Sequence, residues 1–403
     1  MNPPTDTPAI RGGTPAKTTP FGKAVRYGEE ELQQLREALQ QGTLFGPQGR
    51  KVKDLQAAMA AHVGLRHAVA CSSGTAAIHA ALIAAGVSPG DEVIVPPITD
   101  MGSVIPALYQ GAVPVFADVE PETGCLSAAS VEKCLTDRTA AVLAVHLAGN
   151  PCDLDALTAL CKARGVMLIE DCAQAWGATY HGRPVGTFGV MGCFSLNEFK
   201  HISCGDGGLV VTNDEALARG LTLAVDKCYD RAAGAGMRDP TFLGNNYRLT
   251  ELQAAVALAQ LPKLPGIVAR RRAWCEGLTR RISGLAGVAP AAVTPGADPA
   301  FWFCALLVEG DADTFAETLR AEGLPAGAHY IGRCVYEYPL FVNHSAFARG
   351  GHAYEREDYG PGLCPNAEAF LRSVVVLAVN EGYTEADLDE TALGITKAAR
   401  AGS

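Results

Sequence analysis

Between about residues 28 and 260 the apolar positions change period again and again. "EELQQLREALQQG" and "VKDLQAAMAAHVG" carry apolar residues at helical spacing, and each ends on a glycine, the residue best suited to close a helix. Short unbroken apolar runs then alternate with further helical stretches. "HAVACSS", "DEVIVPP", "VPVFADV", "AAVLAVHLAG" and "VMLIED" read as strands, while "GTAAIHAALIAAG", "SVIPALYQGA" and "DLDALTALCKARG" read as helices between them. "GCFSL" and "GLVVTND" read as a later pair of strands in the same sheet. Strands apolar on both faces, joined by helices of roughly 10–15 residues, predict a mainly parallel central sheet covered by helices.

"TELQAAVALAQLPKL" is a strong helical pattern, and after "LPKLPG" a basic helix, "IVARRRAWCEGLTRRI", begins a different section. The pattern therefore divides the chain into a large α/β domain over 24–263 and a smaller C-terminal α+β domain over 264–403. Residues 1–23, rich in Pro, Thr and Gly, read as a flexible lead-in. They hold no apolar core of the kind a secretory signal needs. No apolar run approaches the roughly 18–20 residues that cross a bilayer.

Composition narrows the function. With 403 residues the chain can bury a large core, and 48% hydrophobic residues place it among soluble globular proteins. A net charge of −10 disfavours nucleic acid or an anionic membrane as the main partner. The 13 cysteines include no CxxC pair, so neither a zinc ribbon nor a disulfide scaffold is indicated, and no metal site is expected. Buried thiols in a reducing cytoplasm are the simplest reading. There is no GxxxxGK[ST], no GxGxxG after a strand, no HExxH and no GxSxG.

Three stretches carry candidate chemistry. In "CSSGTAAIHAAL" Ser72, Ser73, Gly74 and Thr75 sit where a strand becomes a helix, and unpaired N–H groups at a helix start seat a phosphate well. The plain alternative is an ordinary helix cap. In "VMLIEDCAQAWGA" Asp171 ends a very apolar strand. An ionised carboxylate there costs several kcal/mol unless something such as a protonated ring nitrogen compensates it. Gln174, three residues on, reaches the same region, and the alternative is again a cap. In "FSLNEFKHISCGDGG" the single lysine, Lys200, stands between an apolar segment and a glycine-rich turn. A phosphate cradle, a carboxylate for a cationic ring and a lysine amine are together what pyridoxal 5′-phosphate (PLP) requires.

In this order, "GPQGRKVKDLQ", "SSGTAAIHAAL", "GDEVIVPP", "GAVPVFADVEPETG", "HLAGNPCDLDAL", "IEDCAQAWGA", "FSLNEFKHISCGDGG" and "NNYRLTELQAAVALAQL" resemble the motifs of the DegT/DnrJ/EryC1/StrS aminotransferases, fold-type I PLP enzymes that act on sugars. The resemblance runs from about residue 24 to 395. It implies that Lys200 forms the Schiff base with PLP and moves the proton in catalysis. It further implies that Asp171 partners the pyridinium, that Gln174 lies beside the 3-oxygen, and that Gly74, Thr75 and Ser195 hold the phosphate. Asn246 matches an asparagine that reaches the phosphate of the neighbouring subunit's PLP, so a cytoplasmic homodimer with shared sites is implied.

The implied activity is ping-pong transfer of an amino group from glutamate or glutamine to a keto sugar, often nucleotide-linked, or a keto-cyclitol. The setting would be amino-sugar, surface-glycan or secondary-metabolite biosynthesis. A dehydratase of the same family would carry histidine in place of Lys200, and a non-catalytic PLP-binding regulatory protein is the alternative from another class. Three features depart from the family. Asp100 stands where an aromatic residue usually stacks on PLP, and Ala148 replaces the aromatic of "HLYG". The segment usually bearing arginine and histidine reads "VDKCYDRAAGAGMRD". These positions bear on the substrate side.

Overall fold

The computed structural model describes residues 7–346 and 358–402; residues 1–6 of the expected lead-in lie outside it. Seven strands form the central sheet: β1 (His67–Cys71), β2 (Glu92–Val95), β3 (Val113–Phe116), β4 (Thr139–Val145), β5 (Met167–Asp171), β6 (Met191–Ser195) and β7 (Gly208–Thr212). Their order is β1-β7-β6-β5-β4-β2-β3. The pairs from β6 through β5, β4 and β2 to β3 are parallel, and β7 runs antiparallel to both its neighbours. Every residue of β2, β3, β6 and β7 is buried, which is why these strands appear as unbroken apolar runs. The sheet is the α/β fold that the sequence pattern predicts.

The remaining strands belong mostly to a C-terminal sheet: β8 (Val288–Pro290), β9 (Phe303–Val308), β10 (Ala326–Ala328) and β11 (Val374–Ala378), ordered β8-β9-β11-β10 and antiparallel throughout. Burial alternates along β9, as expected of a sheet covered on one face.

Three local expectations change. "SVIPALYQGA" is not one helix but a 3-10 turn (Met101–Ser103) and a short helix (Ile105–Tyr109), with Pro106 in the first turn, where its missing N–H costs little. The chain does not break at "LPKLPG". Helix Glu251–Gln260 continues through a 3-10 turn into helix Leu264–Ile282, because Pro265 also falls in a first turn. Leu264, Ile267 and Val268 join the large-lobe core, whereas Trp274, Cys275, Leu278 and Ile282 join the C-terminal core. The expected boundary at 263/264 thus meets a helix shared by both cores. By length and composition the run 251–282 could cross a membrane, but half of its most apolar window is buried against these cores.

The lead-in from residue 9 onward does not hang free. Lys17, 4% exposed, lies 2.7 Å from Asp387 and 2.6 Å from Glu390. The Glu322 carboxylate accepts from the backbone N–H groups of Ala9 (2.6 Å) and Ala16 (2.7 Å) and from Lys397 (2.6 Å). Long-range ion pairs bind this polar segment to the C-terminal lobe where local composition gives no reason for order.

Candidate active site

The carboxyl ends of parallel strands are where ligands bind in open α/β sheets, since helix N-termini and loops converge there. Asp171 is the last residue of β5 and is 4% exposed. Its carboxylate accepts from Ser103 Oγ (2.7 Å) and the Ala173 N–H (3.0 Å). Ser103 shares a further hydrogen bond of 2.6 Å with Thr99. Burial pushes the Asp171 carboxyl above its ordinary range, while the Ala173 and Ser103 donors and the charge of Lys200 pull the other way. A carboxylate so desolvated, with two donors and no ion pair among the described residues, suits a cationic ring nitrogen.

Lys200 follows β6 in a turn closed by its own N–H to the Asn197 carbonyl (2.9 Å). The Lys200 ammonium lies 4.0 Å from the centre of the Trp302 ring. Burial lowers its pKa, and the charges of Asp171 and Asp100 partly restore it. Lowering favours the free amine, the form that attacks an aldehyde.

The end of β6 packs against the start of helix Gly74–Ala84. Ser73 caps this helix, accepting from the Ala76 N–H at 3.0 Å. A Cβ at Gly74 would lie 2.7 Å from Ser195 Cβ and 3.1 Å from its Oγ, and one at Gly208 would strike the Ser73 carbonyl at 2.2 Å. Glycine at both positions lets helix start, serine hydroxyl and strand approach closely, and the N–H groups of a helix start are suited to an anion.

Gln174, 4% exposed, is fixed at both ends of its amide: Oε1 accepts from the Ala148 N–H (2.8 Å), and Nε2 donates to the Tyr330 hydroxyl (3.2 Å). One Nε2 proton remains for a ligand oxygen. Burial raises the Tyr330 pKa and keeps its hydroxyl protonated. His329 and Tyr330 both have positive φ, 64° and 49°, a left-handed backbone that is uncommon for such residues and often marks functional sites.

The structure brings Lys200, Asp171, Gln174, Ser195, Gly74 and Thr75 to one end of the sheet. Asn246 is exposed, and its backbone bridges to Asp226. Ser103, Trp302 and Tyr330 are additions that sequence reasoning missed. Ser103 lies inside the "PPITDMGS" stretch singled out only for Asp100, and a hydroxyl three residues on was its one available signal. His201, beside Lys200, is fully buried, its Nε2 3.0 Å from the Ala300 carbonyl. Burial and the charge of Arg271 push its pKa well below the ordinary imidazole value. His146, Glu170 and Cys172 form a buried group. There the Glu170 oxygens accept from the N–H groups of Gly186, Phe188 and Gly189 (2.7 Å each) and pair with His146 Nε2 at 3.1 Å, a set that orients β5.

A buried carboxylate, a desolvated lysine and a glycine-bearing helix start meet at one end of a mainly parallel sheet, an arrangement that suits group-transfer chemistry on a bound anionic cofactor. The chain belongs to the DegT/DnrJ/EryC1/StrS aminotransferase family, whose model matches residues 25–395. It is 40% identical over 303 residues to L-glutamine:2-deoxy-scyllo-inosose aminotransferase of Micromonospora echinospora, covering 72% of this chain and 71% of that one. It is 38% identical over 252 residues to GDP-perosamine synthase of Escherichia coli O157:H7, covering 61% and 67% respectively. Among solved structures it resembles 3-amino-5-hydroxybenzoic acid synthase, with a TM-score of 0.85 and 30% identity over 96% of this chain and all (100%) of that one. The chain is an aminotransferase.

Proposed function

We propose that this aminotransferase uses PLP held at Lys200 to move an amino group from glutamine or glutamate to a keto-cyclitol or keto sugar. The observation that carries the reading is the convergence of Lys200, the buried Asp171, which has no ion pair among the described residues, and the close approach of Gly74 to Ser195. Similarity to an enzyme named for a keto-cyclitol and glutamine, and to one named for a GDP-linked sugar, supports the acceptor class and the setting in amino-sugar or secondary-metabolite biosynthesis.

When bound, PLP supplies an aldehyde and a ring that withdraws electrons from the carbon next to nitrogen. Asp171 would hold the ring nitrogen protonated, with Ser103, itself bonded to Thr99, orienting the Asp171 carboxylate. The Gly74 and Thr75 N–H groups and the Ser195 hydroxyl would hold the phosphate. Gln174 would offer its free Nε2–H as a hydrogen bond to a ring oxygen. Lys200 would anchor the cofactor, and its Nζ would take up and return the proton at the substrate carbon. The lysine at position 200, with His201 not in its place, weighs against the dehydratase.

Asn246 completes the phosphate site of a second subunit in this reading. It lies near Phe242 and Leu243, which are 37% and 91% exposed, and apolar side chains so presented suit an interface. The 13 free cysteines fit a reducing cytoplasm. The function is tested by adding glutamine or glutamate to the PLP-loaded protein. The visible band should give way to the pyridoxamine phosphate absorbance, and mass detection should then find an amine formed from an added keto-cyclitol or keto sugar. No spectral change with either donor would reject the reading.

A further inference from the structure

Trp302 is the residue just before β9, and polar contacts fix it on three sides. Its backbone N–H donates to the Ala148 carbonyl at 2.8 Å, and its carbonyl accepts from Arg271 at 3.3 Å. Arg271 is 4% exposed and is itself paired with Glu381 at 2.9 Å. The indole N–H donates to the Phe199 carbonyl at 2.7 Å, one residue before Lys200. The turn that carries Lys200 is thus held from within by the Asn197 carbonyl and from the C-terminal lobe by the indole. Since the Ala148 N–H bonds Gln174, one connected path runs from Gln174 through Ala148 and Trp302 to the lysine turn. The ring so fixed lies under the Lys200 ammonium, which has no ion pair or hydrogen bond among the described residues.

An ammonium that loses water without gaining a carboxylate against it is driven toward the neutral amine. The negative face of an indole offsets part of that loss, and it attracts only the charged form. A neutral amine is therefore free to leave the ring, whereas a carboxylate in the same place would hold the proton far more tightly. The other charges near Lys200 come from separate elements. Asp171 at the end of β5 and Asp100 before the 3-10 turn favour the ammonium from a distance. Glu198 is engaged by the hydroxyls of Tyr27 at 2.6 Å and Ser203 at 3.2 Å, and Arg26 bonds the Glu198 carbonyl. His201 faces Ala300, and the Tyr330 hydroxyl faces Gln174.

We propose that Trp302 is a positioning residue for the reactive amine: its ring face is the resting place of the Lys200 ammonium whenever Nζ carries no bond to an aldehyde, and its indole N–H sets the turn that aims the side chain. The inference rests on the functional reading above for the statement that this amine is the one that holds the cofactor. A residue that only packs the two lobes together would leave the proton affinity of Lys200 indifferent to the electron density of the ring.

The test measures that proton affinity in the full-length protein without PLP. Trace acetylation with acetic anhydride over about pH 7–11, followed by peptide mapping, reads the free amine at Lys200 against the exposed Lys53 in the same sample. The ring favours the charged form, so removing it lowers the pKa. Trp302→Leu should move the Lys200 profile down by about 0.4–1.5 pH units, the range expected for a cation over an indole face. Trp302→Phe keeps an aromatic face and should move it less. Both variants lose the indole N–H, so the difference between them belongs to the face. Replacing the three tryptophans biosynthetically by singly and then doubly fluorinated tryptophan keeps shape and N–H while weakening the face. The Lys200 pKa should fall in step with fluorination while that of Lys53 stays fixed, a result that does not depend on Trp302→Leu folding. A Lys200 profile that does not move, moves upward, or moves equally in the Phe and Leu variants overturns the inference and leaves the aminotransferase reading intact, because no cofactor is present. A pyridoxyl label on another lysine after PLP loading and borohydride reduction overturns the functional reading, and with it the role given to Trp302 in the reaction.

Discussion

Replacing Asp171 with asparagine keeps the shape of the side chain and removes one buried charge. Asn Oδ1 can still accept the Ala173 N–H, and Ser103, bonded also to Thr99, can turn its hydroxyl to accept from the new amide. The fold should therefore survive. What is lost is the partner of the ring nitrogen. Breaking a buried ion pair from one side costs about 3–5 kcal/mol. At about 1.4 kcal/mol per decade, that slows the amino-donor half-reaction by roughly 10²–10⁴-fold. Single-turnover absorbance with glutamine, at matched cofactor content, measures it. The unloaded protein should respond in the opposite sense. Burial raises the Asp171 pKa in the folded state, so the native protein holds this proton to higher pH than the unfolded chain. Stability then falls as pH rises from the unfolded value, about 3.9, through the raised folded value, and that loss persists at neutral pH. Without cofactor, Asp171→Asn should melt higher than wild type at pH 7 and lose this advantage at low pH. A half-reaction within threefold of wild type, with full cofactor content, would refute the reasoning.

Two further predictions test other parts of the structure. A mixed dimer of Lys200→Ala and Asn246→Ala subunits should recover one intact site per dimer, read as cofactor bound and spectral turnover. With each single variant clearly impaired, no recovery would reject sites shared across an interface. Lys17→Met leaves Asp387 buried without its cation and should destabilise the protein by about 3–5 kcal/mol in denaturant titration. Asp387 is held down to about 2, chiefly by Lys17 and the N–H groups of Thr384 and Gly22 against the cost of burial. Its contribution is thus fully present above the unfolded pKa of about 3.9 and is lost as pH falls toward 2. The variant's deficit should shrink over that window, and a deficit independent of pH would show that Lys17 acts through packing alone.

The large sheet was legible because strands buried on both faces can only be apolar, and the runs from "HAVAC" to "GLVVT" carry that signature without help from distant residues. Asp171, Lys200 and Gly74 were legible for a related reason: each is a local anomaly, a charge or glycine set against an apolar strand end, whereas Ser195 was named through the family resemblance alone. Ser103, Trp302 and Tyr330 were not, since nothing near them in the chain says which strand end they meet. Trp302 and Tyr330 arrive from the C-terminal lobe through packing between lobes. The docking of residues 9–24 stayed hidden likewise, because a proline- and threonine-rich stretch looks disordered until Asp387 and Glu322 are placed beside it. At "LPKLPG" the prolines read as a break, yet a proline in a first turn lets the helical path continue into Leu264–Ile282.

The central claim is that Lys200 is the residue that holds the cofactor. Borohydride reduction of the PLP-loaded protein, followed by peptide mapping, tests it most directly. The account predicts one pyridoxyl label per chain, on Lys200, and no label in Lys200→Ala protein of unchanged melting temperature; a label on any other lysine would contradict it.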